Sequence, residues 1–204
     1  MWAIGNGESR STINIKQLNG PKVGCNAVMR DYYTDYLVCV DRRMIEEALN
    51  KGINTRGTLV YTRPDWYPRY KTLKVRELPP LPYEGDQRWD EPFQWGSGPY
   101  AVLIAAMFTK EKHVNLIGFD LYSKTKTVNN VYKDTQNYDA SDKRAVDPRY
   151  WIHQIGMVFK CFPKIKFTIY QYPNWELPKA WNYPNVKVDR LSSIAYNTYY
   201  DKWP

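Results

Sequence analysis

Residues 97–119 read SGPYAVLIAAMFTKEKHVNLIGF, two apolar runs separated by a short charged break. The first, Pro99 to about Thr109, is long enough for a helix and apolar on every side. The second, Val114 to Phe119, shows no alternation and reads as a strand covered on both faces. A helix buried all round that feeds such a strand belongs to an α/β fold with a mostly parallel sheet.

The rest of the chain agrees with that class. Short strands are expected at Trp2-Ala3-Ile4, Lys22 to Cys25, Tyr36 to Val40, Thr58 to Tyr61 and Lys164 to Tyr170. Ser9 or Ser11 caps a short helix running toward Leu18, and Arg42 to Leu49 forms another, stopped by Asn50-Lys51-Gly52. A last helix starts with Asp147 as its cap and Pro148 at its first position, continuing through YWIHQIGMVFKCF. The 204 residues suffice for one core and are short for two full domains. The expectation is a single Rossmann-like domain over residues 1–171, with helices on both faces.

Two stretches lose periodicity. Residues 63–95, with RPDWYPRY and ELPPLPYEGDQRWDEPFQW, are rich in Pro, Arg and aromatics and read as a long lid-like insertion. Residues 172–204 read as an aromatic, Pro-rich extension. Arg63, Trp66, Tyr67, Arg69, Tyr70 and Lys71 interleave cations with rings as single-strand binders do. Frequent Pro and the lack of an RNA-binding or zinc signature argue against nucleic acid as a partner and for a lid over an acceptor site or a protein assembly.

The net charge of +8, from 29 basic and 21 acidic residues, suits an anionic partner or simply a positive surface. Three cysteines, Cys25, Cys39 and Cys161, sit in apolar stretches without metal-ligand spacing, which implies buried free thiols in a reducing, cytoplasmic setting. The glycine turn at residue 5 comes too early for a signal peptide. No apolar run approaches the roughly 18 residues of a membrane span.

Ligands of open α/β sheets bind beyond the carboxyl ends of the strands. The residues there are Gly5-Asn6-Gly7, Asn26, Asp41, Ser97-Gly98 and Asp120 with Tyr122. Gly5 and Gly7 would let backbone approach a phosphate, with Ser9 and Arg10 following in the same turn. The third glycine of the dinucleotide fingerprint is missing, because Arg10 stands there. Helix breakers also end strands that bind nothing.

GNGESR, the Cys25-Asn26 pair, and SGPYAVLIAAMFTKEKHVNLIGFDLY together resemble the bacterial family 42 sialyltransferases. The MptE-like pterin diphosphokinases share the same variant Rossmann fold. The likeness covers roughly residues 1–45 and 94–171. It implies a CMP-sugar donor and metal-independent transfer to an unknown acceptor, with no cofactor. Asn6 and Asn26 would then contact the nucleotide, and Ser97 and Gly98 its cytidine part or phosphate. Tyr122 and Tyr132 would hydrogen-bond the departing phosphate. The family has asparagine where Asp41 falls; a carboxylate there suits ribose hydroxyls or a metal. The family has Arg and Thr ahead of SG, where this chain has Gln94 and Gly96. Its histidine base aligns with Asp147, and His153 lies two helical turns on; either accepts a proton. His113 precedes a strand at the end opposite the site. The alternatives are an Mg-dependent diphosphokinase of the MptE type and a non-catalytic nucleotide-binding or structural protein.

Overall fold

The computed structural model describes residues 1–80 and 95–195. The chain forms an α/β Rossmann-like domain. Its strands are β1 (Trp2–Ile4), β2 (Lys22–Cys25), β3 (Tyr36–Val38), β4 (Leu59–Thr62), β5 (Val75–Glu77), β6 (His113–Ile117), β7 (Lys166–Gln171) and β8 (Val186–Arg190). Its helices among the described residues are α1 (Arg42–Asn50), a single turn α2 (Tyr67–Tyr70), α3 (Ser97–Phe108) and α4 (Arg149–Cys161), with several short 3₁₀ segments. One sheet runs β5-β4-β3-β2-β1-β6-β7-β8. Every described strand pair is parallel.

The chain winds outward from β1 to β5, crosses back, and winds the other way from β6. The strand order therefore reverses between β1 and β6, where Trp2 pairs with Asn115 and Ile4 with Ile117. Strand alternation divides the core. Trp2 and Ile4 pack on the face carrying α1, and Ala3 on the face carrying α3 and α4. α3 is covered by sheet on one side and α4 on another, so Tyr100 to Ala106 are all buried. Each large aliphatic side chain buried there contributes about 1.5–3 kcal/mol. α1 presents Met44, Ile45 and Ala48 to the opposite face at helical spacing.

Several expectations need correction. The sheet does not stop at residue 62: within the stretch expected as a lid, α2 leads into β5, an edge strand. The rest of that insertion, 81–94, lies outside the described residues. Nor is β7 the last strand, because β8 joins it in parallel within the expected C-terminal extension, whose residues 196–204 also lie outside. The helix expected after Ser9 or Ser11 is two 3₁₀ segments, Glu8–Thr12 and Ile15–Gln17, and Ser9 sits inside the first, making a different bond. α4 starts after Pro148, one residue later than expected. The cations and rings of 63–71 pair with neighbours: Arg63 bonds Asp65 and Tyr70 OH donates to Glu46 (2.8 Å). No helix among the described residues is long and apolar enough to cross a membrane.

Candidate functional site

A cavity of about 420 Å³ opens at the carboxyl ends of the strands, beside the β1/β6 reversal. The turn after β1 (Gly5, Asn6, Gly7), Asn26 after β2, Asp41 after β3, the α3 N-terminus (Ser97, Gly98) and residues 118–121 after β6 all line it. This is the crevice in which such folds bind ligands.

The turn after β1 is held first by protein. Gly5 N–H donates to Ile117 O (2.8 Å) and Gly7 N–H to Gly118 O (2.9 Å), so the backbones past β1 and β6 run in contact. A Cβ on Gly118, whose φ is +69°, would lie 2.6 Å from Gly5 O. A Cβ on Gly7 would lie 2.5 Å from the Asp120 carboxyl carbon. Gly7 itself is extended (φ −63°, ψ 151°), so its glycine answers a close approach and not a positive φ. The glycine pattern marks the crevice, but the backbone it admits is the chain's own.

Asp120 closes this arrangement. Its carboxylate accepts Ser9 N–H (2.9 Å), the Ser9 hydroxyl and Gln171 Nε2 (3.1 Å), and its carbonyl accepts Trp175 Nε1 (2.8 Å). Ser9 and Asp120 are both buried. The pair ties the first turn to β6 and β7, and neither polar group is left over for a nucleotide. Asn6 behaves similarly: Nδ2 donates to Cys25 O (3.1 Å) and Oδ1 accepts Arg10 (3.4 Å).

Asn26, Ser97 and Asp41 form the part of the lining that remains open. Ser97 Oγ donates to Asn26 Oδ1 (2.7 Å) and accepts Val40 N–H (3.0 Å), joining α3 to the ends of β2 and β3. Asn26 is held at φ +50°, a left-handed conformation that is tolerated best in Asn and Gly. Its Nδ2 and the exposed Asp41 carboxylate have no hydrogen-bond partner among the described residues. Asp41 stands at the α1 N-cap without capping it. Pro99 at the third position of α3 has no N–H, so the first-turn donors there come from Ser97 and Gly98. Leu121 also lines the cavity at φ +61°, inside a three-residue turn closed by Tyr122 N–H to Asp120 O (2.6 Å). Such strain persists only where surrounding structure enforces it, and it clusters at functional sites.

The four residues expected to carry catalysis do not line this cavity. Tyr132, within the 123–146 loop, is buried, and its hydroxyl donates to Asp31 (2.6 Å) and accepts Arg10 (3.0 Å). Burial first, then the Asp31 bond, raises its phenol well above the ordinary range. Tyr122 is 42% exposed and faces a second cavity beside Trp175. Asp147 turns onto its own helix, accepting Arg149 N–H (3.0 Å) and Nε (2.7 Å); the Arg149 bond holds its carboxyl below the usual range. From α4 it is Trp151 and Ile155, not His153, that reach the cavity. His113 is half-buried at the opposite end, with Nε2 2.8 Å from Thr168 Oγ1.

Sequence reasoning missed the far wall. The 123–146 loop docks on the first turn through Asn129 Oδ1, which accepts Glu8 N–H (2.8 Å), and Val131 N–H, which donates to Asn6 O (2.9 Å). Tyr138 and Asn130 line the cavity from that loop. The loop carries no periodicity that would have shown this. Cys25 also lines it, but burial pushes its thiol up to about 12, so it is not a nucleophile at neutral pH. Cys161 is only partly buried. No group of three or more metal-ligating side chains is gathered among the described residues. No family model, curated protein or solved structure matches the chain.

Proposed function

We propose that the switch-point cavity binds a nucleotide, with a CMP-sugar favoured, and that the chain is a glycosyltransferase resembling the sialyltransferases. One observation carries the nucleotide reading. At the strand-order reversal, Asp41, Asn26 and the α3 N-terminus converge on one cavity, and the Asp41 carboxylate and Asn26 Nδ2 have no hydrogen-bond partner among the described residues. Asp41 suits a ribose diol, Asn26 Nδ2 a carbonyl or phosphate oxygen, and Ser97 and Gly98 N–H a phosphate. Transfer of the sugar rests on the GNGESR, SGPYAVL and GFDLY resemblance.

A second reading, nucleotide binding without turnover, is favoured by the placement of Tyr122, Tyr132, Asp147 and His153 away from the cavity lining. The Mg-dependent diphosphokinase reading would use Asp41, since of the other lining carboxylates Asp120 is taken by Ser9 and Gln171 and Asp139 by Lys143.

Calorimetric titration of CMP, UMP, GMP and AMP, with and without Mg²⁺, tests the site. We expect binding by wild type and a loss of about 1.5–3 kcal/mol in Asp41→Ala without Mg²⁺, as for a hydrogen bond to a charged group. A loss seen only with Mg²⁺ favours the diphosphokinase. No nucleotide binding by wild type sinks the proposal. Incubation with CMP-, UDP- and GDP-sugars then separates transfer or hydrolysis from binding alone.

A further inference from the structure

A second cavity, of about 880 Å³, adjoins the first; Asp120, Ser123, Asn129 and Asn130 line both. Three rings face it. Tyr122 and Trp175 stand 6.5 Å apart at 43°, and Tyr172 is 40% exposed beside them. Trp175 is fixed by its Nε1 bond to Asp120 O (2.8 Å), and the Tyr122 carbonyl accepts Asn129 Nδ2 (3.0 Å). The Trp175 ring and the Tyr122 backbone are thus anchored before any ligand arrives.

Around them, Ser11, Asn174 and Glu176 line the cavity with no hydrogen-bond partner among the described residues. An apolar ligand would strip water from these groups without replacing it. An anionic ligand would meet the Glu176 carboxylate, while Lys133 is paired with Glu8 and Lys124 lies 5.6 Å over the Tyr172 ring. The complementary ligand is neutral, with flat C–H faces for the rings and hydroxyls for the carboxylate and carboxamide. From this we infer that the second cavity is a saccharide-binding site, with Tyr122 and Trp175 as its stacking surface and Glu176 and Asn174 as its hydroxyl readers. A volume of 880 Å³ lies within the range of small-molecule sites.

The site stands whether or not the neighbouring cavity takes a nucleotide. If it does, the shared wall makes this saccharide the acceptor, a role that rests on the proposed function.

The test uses the full chain with no nucleotide present. Labelled protein is applied to an array of immobilised defined glycans, and the best-bound glycan is titrated as the free sugar. Tyr122→Ala and Glu176→Ala remove groups without hydrogen-bonded side-chain partners, so both variants should keep wild-type circular dichroism and Tm. Each should weaken saccharide binding about tenfold, as for a lost ring contact or a hydrogen bond to a charged group. CMP affinity should not change in either variant. Wild type that binds no glycan overturns the inference. Equal saccharide affinity in wild type and both variants also overturns it, placing the sugar elsewhere.

Discussion

Asp120→Asn distinguishes a structural carboxylate from a ligand-binding one. As a carboxylate, Asp120 only accepts; Oδ2 takes Ser9 N–H, and Oδ1 takes both Gln171 Nε2 and the Ser9 hydroxyl. An asparagine must put its NH₂ at one of these places. At Oδ2 it opposes Ser9 N–H; at Oδ1 it opposes Gln171 Nε2. In both orientations one bond is lost and one buried donor is left unmet. An unmet buried donor costs about 1–3 kcal/mol, and a hydrogen bond to a charged group contributes about 1.5–3 kcal/mol. The two overlap, so the expected loss is near 3 kcal/mol. For a chain of this size that lowers Tm by roughly 6–12 °C. Thermal unfolding followed by circular dichroism reads the shift, and CMP titration well below Tm reads the site. An unchanged Tm with collapsed CMP affinity would refute the structural assignment and return Asp120 to the nucleotide.

Four further outcomes are expected. Gly118→Ala combines a φ of +69° with a Cβ 2.6 Å from Gly5 O, and should lose about 2–4 kcal/mol in urea unfolding. Tyr132→Phe leaves Asp31 and Arg10 without the hydroxyl, so it should lose about 1–3 kcal/mol of stability with CMP affinity unchanged. Glu47 is held below the ordinary glutamate range, chiefly by its Arg30 hydrogen bond. Its contribution is complete above the ordinary value and lost as pH falls through the lowered one. The Tm gap between wild type and Glu47→Gln should therefore hold at pH 6–7 and close as pH falls below about 4. At pH 8 a thiol reagent should label Cys161 alone in the native protein, and Cys25 and Cys39 only after unfolding.

The central strands and α3 were legible because burial on every side leaves apolar runs, as in residues 99–106 and 116–119. β5 and β8 were not. As edge strands they have one neighbour each, and their sequences, VRE and VKVDR, are mostly charged. At the site, the residues ending each central strand line the crevice, since topology alone puts them there. Their roles were less legible. Gly5 and Gly7 donate to the Ile117 and Gly118 carbonyls, and Ser9 donates to Asp120 across 111 residues of sequence, pairings that local pattern cannot show. Tyr122 and Tyr132 lie off that lining for a directional reason: the left-handed turn at Leu121 and the path of the 123–146 loop decide where they point.

The β1/β6 junction also sets the order in which the molecule can assemble. Ile4 must wait for Ile117, while its partner on the other side, Gly24, lies close by in sequence. At a synthesis rate of roughly 5–20 residues per second, the intervening chain takes on the order of 6–22 seconds to appear. During that interval Trp2, Ala3 and Ile4 present an unpaired, wholly apolar strand edge at what will become the middle of the sheet. Until α3 and β6 are made, one face of β1 to β3 lies uncovered and the β1 edge stays open to pairing with another nascent chain. The long closure that creates the crevice is thus also where newly made protein is most exposed to aggregation, and where a chaperone would have most to protect.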